Sequence, residues 1–125
     1  MKALVAGCAL AAAASVVLGV PAGGAAPAPS RVQVSADEHT LVLSRTRLRP
    51  GPAVVQLVNR GEDDHDLALR RIAPGAVTRR LARTAPGGVR ELETTLRPGR
   101  YRLWCTLADH RARGMSATLV VTRAR

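Results

Sequence analysis

His65, Cys105, His110 and Met115 are the residues of this chain whose types and spacing could do chemistry together. Two imidazoles, a thiolate and a thioether are the donor set that holds a single copper ion, His₂Cys in a trigonal plane with Met as a weak axial donor. The spacing says as much as the residue types. Three of the four fall in Cys105-Thr-Leu-Ala-Asp-His110-Arg-Ala-Arg-Gly-Met115, written Cys-x4-His-x4-Met. The fourth lies far upstream, in Asn59-Arg-Gly-Glu-Asp-Asp-His65-Asp-Leu. An ion bound this way ties one tight loop to a distant strand. Cu(I) favours soft sulfur and Cu(II) favours nitrogen, so such a site changes little between the two states and suits the transfer of single electrons.

Other chemistries use fewer of these residues. Taken singly, His65 reads as a polar turn residue, Cys105 as a small hydrophobe at a strand end and Met115 as core filling. His39 is assigned to the surface polar class. Zinc takes a Cys-His₂ set with an acid or water as fourth ligand, but thioether is a poor zinc donor, which favours copper. A Cys105–His110 nucleophile and base pair would leave His65 and Met115 without a role. The chain is therefore read as a non-enzyme.

At this level the sequence resembles the cupredoxins, the blue or type 1 copper proteins that include plastocyanins, azurins and rusticyanin. Besides the four ligands, Leu96-Arg-Pro98-Gly99-Arg-Tyr101-Arg-Leu-Trp-Cys105 is similar to the family's turn and strand leading into the ligand loop. Gly114-Met115 followed by Ser116-Ala-Thr-Leu-Val-Val121 is similar to its closing strand, and the loop spacing to the longer, rusticyanin-like version. The resemblance implies a Greek-key β-sandwich, one bound copper and a redox partner protein. It also implies that Asp66, where the family more often has Asn, links the two ligand segments. Its backbone N–H would point at the Cys105 sulfur, with Thr106 donating to its carboxylate. Copper oxidases of this fold need further domains or a second copper site, and no His-x-His motif is present here. An extracytoplasmic copper carrier or resistance protein is the alternative function.

The elements that must position these residues begin after an N-terminal leader. Met1-Lys2, the apolar run from Ala3 to Val20 and the small, helix-breaking Pro21-Ala-Gly-Gly-Ala-Ala26 have the three-part layout of a secretory signal peptide. Residues 1–25 are assigned to it, with cleavage after Ala22 or Ala25, and residues 26–125 to one copper-binding domain. Val5-Ala6-Gly7-Cys8 imitates a lipoprotein box, but too few apolar residues precede Cys8. Retention as an anchor is the rival outcome, since the run approaches the length that spans a membrane. The domain keeps one cysteine, Cys105, and an unpaired thiol in an exported protein is accounted for by metal ligation.

Charge is strongly positive, +10 for the whole chain, and every basic residue except Lys2 is arginine. Predicted export, few aromatics for base stacking and scattered arginines argue against nucleic acid. A solvated basic surface is the plain reading. The sharper one is steering toward an acidic redox partner or an anionic envelope surface, with the chain acting as a monomer.

Short alternating segments separated by Gly, Pro and acidic turns predict seven or eight strands of an all-β sandwich, spanning about Val32 to Thr122. Inward candidates are Val55, Leu57, Leu67, Leu69, Leu92, Leu96, Tyr101, Leu103, Leu119 and Val121. Cys105 shares a face with Tyr101 and Leu103, and His65 with Leu67 and Leu69, so both ligands are expected at core-facing strand ends. Between Pro74 and Gly88, Val77, Leu81 and Ala85 recur every four residues, which suits one short amphipathic helix.

Overall fold

The structure, a computed structural model, describes residue 3 and residues 12–123. Cys8 and most of the apolar leader run lie outside the described residues. Residues 12–29 are exposed and carry no regular structure. From Ser30 the chain forms nine strands: β1 (Ser30–Asp37), β2 (Thr40–Leu43), β3 (Arg47–Leu48), β4 (Gly51–Asn59), β5 (His65–Arg71), β6 (Thr78–Thr84), β7 (Val89–Leu96), β8 (Gly99–Trp104) and β9 (Ser116–Val121). They make two sheets, β2-β1-β4-β7 and β3-β9-β8-β5-β6, joined by Greek-key connections.

The core lies between the two inner faces. Period-two alternation turns Val32, Val34, Val55 and Leu57 inward from the first sheet and Leu67, Leu69, Leu103, Leu119 and Val121 from the second, all essentially inaccessible. Each such side chain contributes roughly 1.5–3 kcal/mol of burial. Of the inward residues expected from the sequence, only Leu92 is partly buried, packed at the rim of the core. Tyr101 has a polar tip that is also accommodated. Its hydroxyl donates to the Arg97 carbonyl at 3.0 Å and accepts from the Arg97 amide at 2.9 Å. That brace fixes the Pro98-Gly99 turn from which β8 runs toward Cys105.

The expected helix between Pro74 and Gly88 is not formed; no helix occurs among the described residues. Residues Thr78–Thr84 form β6, paired antiparallel to β5 at the sheet edge. Of the residues repeating every four, Leu81 is buried but Val77 is 69% exposed, so the helical stripe has little to bury. Pairing instead satisfies the backbone of β5, the strand that begins with His65. That gain outweighs a helix barely three turns long.

What matters for function is the adjacency of β5 and β8. They run antiparallel, with Ala68 opposite Trp104 and Leu69 opposite Leu103. The start of β5 and the end of β8 therefore meet at one end of the second sheet. His65 opens the one strand and Cys105 follows the other.

Candidate metal centre

Two segments build the site. The first is the loop between Cys105 and Met115, which closes on itself. The Cys105 amide donates to the Met115 carbonyl at 3.2 Å, and the Met115 amide to the His110 carbonyl at 3.0 Å. Arg113 and Gly114 amides donate back to His110 and Arg111, completing a tight turn. Gly114 sits at φ 103°, a region L side chains avoid, which is where the chain reverses into β9. Cys105 and Met115 are fully buried at the two feet of this loop, and His110 is 8% exposed at its crest.

The second segment is the loop from Asn59 to His65. Asn59, 1% exposed, organises it from beneath. Its side-chain amide donates to the carbonyls of Asp63 at 2.7 Å and Thr84 at 2.9 Å, and its oxygen accepts the Gly61 amide at 2.9 Å. His65 then points inward by the same alternation that buries Leu67, and the extra residue in the β5–β6 pairing falls on β6, between Leu81 and Thr84.

The two segments converge. Cys105 Sγ lies 3.9 Å from His65 Nδ1 and 3.6 Å from His110 Nδ1. One ligand atom from each of the three residues lies within 4.8 Å of the others. Metal–sulfur and metal–nitrogen bonds of about 2.3 and 2.0 Å, meeting at about 120°, would separate the two donors by about 3.7 Å. The observed separations bracket that value, so the residues present fit a metal ion held in a trigonal plane. Met115 is buried and hydrogen-bonded through its backbone to both Cys105 and His110.

Burial sets the protonation of the donors. It pushes the Cys105 thiol above its ordinary range, against the backbone N–H groups of Asp66 and Leu107, which point at the sulfur. His65 is held below its ordinary value, first by burial and then by His110 beside it. Without an ion the pocket thus favours a neutral imidazole and a thiol. Metal binding must displace the thiol proton.

Around the donors, Asp66 joins the two segments. Its carboxylate accepts the Thr106 amide at 2.6 Å and the Thr106 hydroxyl. Three further residues were not singled out from the sequence. Asn59 looked like a plain turn residue, although a polar side chain ending the apolar run of β4 was a signal. His39, assigned to the surface, lies with its ring edge against His110, centroids 5.3 Å apart at 80°. Glu38 reaches the 61–63 loop, its Oε1 accepting the amides of Glu62 and of Asp63. Nothing local marked these last two.

Basic charge gathers on one side of the centre. Arg111 stacks over the Trp104 ring, 4.5 Å from its centroid. Both line a cleft of about 750 Å³ together with Arg70, Arg71, Arg80 and Arg102. Arg113, by contrast, is paired with Asp109 at 2.6 Å.

Comparison with known proteins places the fold. No protein-family model matches the chain, and no curated protein matches it. Among solved structures, it is similar to dithionite-reduced auracyanin from Roseiflexus castenholzii, with TM-score 0.62 and 16% identity over 78% of this chain and 100% of that one. Auracyanin A from Chloroflexus aurantiacus, described as a "blue" copper protein, matches with TM-score 0.61 and 15% identity, covering 76% and 100%. A multicopper oxidase matches with TM-score 0.58 and 11% identity over 79% of this chain but 46% of the oxidase. The chain has the cupredoxin fold.

Proposed function

We propose that this chain is an exported blue-copper protein that carries single electrons. The observation behind this reading is the convergence of His65 Nδ1, Cys105 Sγ and His110 Nδ1, from distant segments, on one point of a cupredoxin fold. These three would hold one copper ion, with the Met115 thioether as a fourth, weaker donor. Copper, when bound, supplies a one-electron couple. The protein's part is to keep the donors where either oxidation state accepts them. Rigid β-strands do this for His65 and Cys105, and the self-closed loop does it for His110 and Met115. Asp66 ties the two segments, and its negative charge stabilises the oxidised ion more than an amide would, lowering the reduction potential.

Adding Cu(II) to the purified protein should give an intensely blue solution through thiolate-to-copper charge transfer. A colourless complex would favour a zinc-type site. A copper carrier is the competing function, and the near-complete burial of His65, Cys105 and His110 favours retention over release. Fast, reversible cycling without copper loss fits the electron carrier; release on reduction fits the other. Among the described residues there is one cluster of this ligand type. A single one-electron centre suits a carrier better than an oxidase that must gather four electrons for dioxygen.

The arginine-lined cleft beside Trp104 supports an acidic redox partner. Arg70 and Arg102 stand directly opposite one another across β5 and β8, an arrangement that like charges disfavour unless an anion covers them. Reversing Arg111 should slow exchange with an acidic partner more than reversing Arg113, whose charge Asp109 already offsets. Raising salt should slow it too, since screening acts over roughly 10 Å at 0.1 M.

Export rests on the leader. Val16, Val17, Leu18 and Val20 are 80–90% exposed and cover no part of the sandwich. Residues 1–25 act as a signal peptide in this reading. N-terminal sequencing of the exported protein would show a start after Ala22 or Ala25, whereas an intact leader would indicate an anchor.

A further inference from the structure

The β1–β2 turn, Asp37-Glu38-His39-Thr40, is far in sequence from every ligand, yet it meets the His110 imidazole and holds the loop that leads into His65. His39 sits at φ 61°, and its ring meets His110 edge-on. Glu38 holds the loop that precedes His65 through the Glu62 and Asp63 amides. On the inner side of that loop, His65 Nε2 is buried and has no hydrogen-bond partner among the described residues. Gly61 lies between the two groups. A methyl group there would collide with Glu38 Oε1 and stand 3.1 Å from His65 Nε2. Glycine keeps the carboxylate and the imidazole facing each other across a gap.

Chemistry gives that gap a purpose. An imidazole that offers Nδ1 to a metal must carry its proton on Nε2, and metal-bound histidines normally donate that proton to a carboxylate or carbonyl. A carboxylate has acceptor capacity beyond two amides. We propose that Glu38 is a positioning residue of the metal centre: fixed to the 61–63 loop, its carboxylate faces His65 Nε2 across Gly61, keeps the proton there and leaves Nδ1 free for the ion. Glu38 itself is held down to about 2, mainly by the Glu62 amide and further by the Asp37 side chain and the Asp63 amide. It is therefore anionic throughout the neutral range. The same turn presses His39 on His110, so one hairpin orients both imidazoles.

This inference rests on the copper reading for its purpose, but its test does not need copper. In the metal-free protein, long-range ¹H–¹⁵N spectra should show His65 as the Nε2–H tautomer. Glu38→Ala should convert it partly or wholly to Nδ1–H. After copper loading, Glu38→Ala should weaken Cu(II) binding by about 10–100-fold. Glu38→Gln separates charge from shape, because the amide oxygen can still accept from Glu62 and Asp63. It should keep the blue band while raising the reduction potential. A wild-type Nδ1–H tautomer would overturn the proposal. So would an unchanged tautomer in both variants together with an unchanged potential in Glu38→Gln. A wild-type protein that never turns blue would count against the copper reading, and the tautomer would still decide the role of Glu38.

Discussion

The two segments that supply the ligands are built in opposite ways. The Cys105–Met115 loop is local: its backbone–backbone hydrogen bonds run between its own residues, and its three donors are fixed relative to one another by eleven consecutive positions. The Asn59–His65 segment supplies one donor and is held from outside, by Thr84 of the opposite sheet through Asn59, by Glu38 from the end of the neighbouring strand β1 and by Thr106 through Asp66. One arm is preorganised by its own backbone. The other is preorganised only once the sheets have docked. A site joining the two should lose its chemistry through the first arm and its precision through the second.

The sharpest test of that contrast is Cys105→Ser. A hydroxyl stays protonated and hard, so the blue centre should vanish outright, read from the visible spectrum. Retained blue colour would mean that the thiolate is not the donor. Asn59→Ala comes next, because it strips partners from the buried Thr84 carbonyl and the Gly61 amide. Leaving such groups unsatisfied costs about 1–3 kcal/mol each. Thermal or denaturant unfolding should show a loss of that size, with weakened copper binding but an unaltered colour in the copper that does bind. If stability and affinity are both untouched, the second arm does not depend on Asn59.

Met115→Leu probes the local arm more gently. The swap nearly conserves volume and should cost less than about 1.5 kcal/mol. The blue band should persist and the reduction potential rise, since the axial thioether favours Cu(II) over Cu(I). Complete loss of copper would instead make Met115 a primary ligand.

Acid gives the smallest effect and separates the arms directly. Glu38 is lowered from 4.5 to about 2 in the folded protein, chiefly by the Glu62 amide. A depressed carboxylate contributes stability above its unfolded value and loses it as pH falls through the folded one. Between about pH 4.5 and 2, protection of the Glu62 and Asp63 amides, taken relative to intrinsic exchange at each pH, should therefore fall in the metal-free protein, while that of the Met115 and Gly114 amides, bonded to backbone carbonyls, should hold. Equal loss of protection in both segments would mean that acid loosens the whole sandwich rather than the Glu38 strap.

Much of this was legible before folding. Strands β4, β5, β8 and β9 follow from alternation and turn residues, because one buried face imposes a period of two. Tyr101, Leu103 and Cys105 share a face for the same reason. The stretch Thr78–Thr84 misled, since a repeat of four was matched by Val77, Leu81 and Ala85 without any surface to bury it. Whether a short segment becomes helix or edge strand depends on its neighbour, and β5 offered an open edge. His39 and Glu38 were invisible as site residues for a related reason: nothing within several residues of either hints at a metal.

The sequence by itself determined the donor types, the spacing of the Cys105–Met115 loop and the strands that carry His65 and Cys105, because these depend on local covalent distance and on hydrophobic period. Only the tertiary structure decided that Asn59, Glu38 and His39 converge on the two imidazoles and that arginines of three strands meet beside Trp104. Those relations join residues tens of positions apart. They exist only after sheet pairing has set the register, and no local pattern encodes register between strands that have yet to meet.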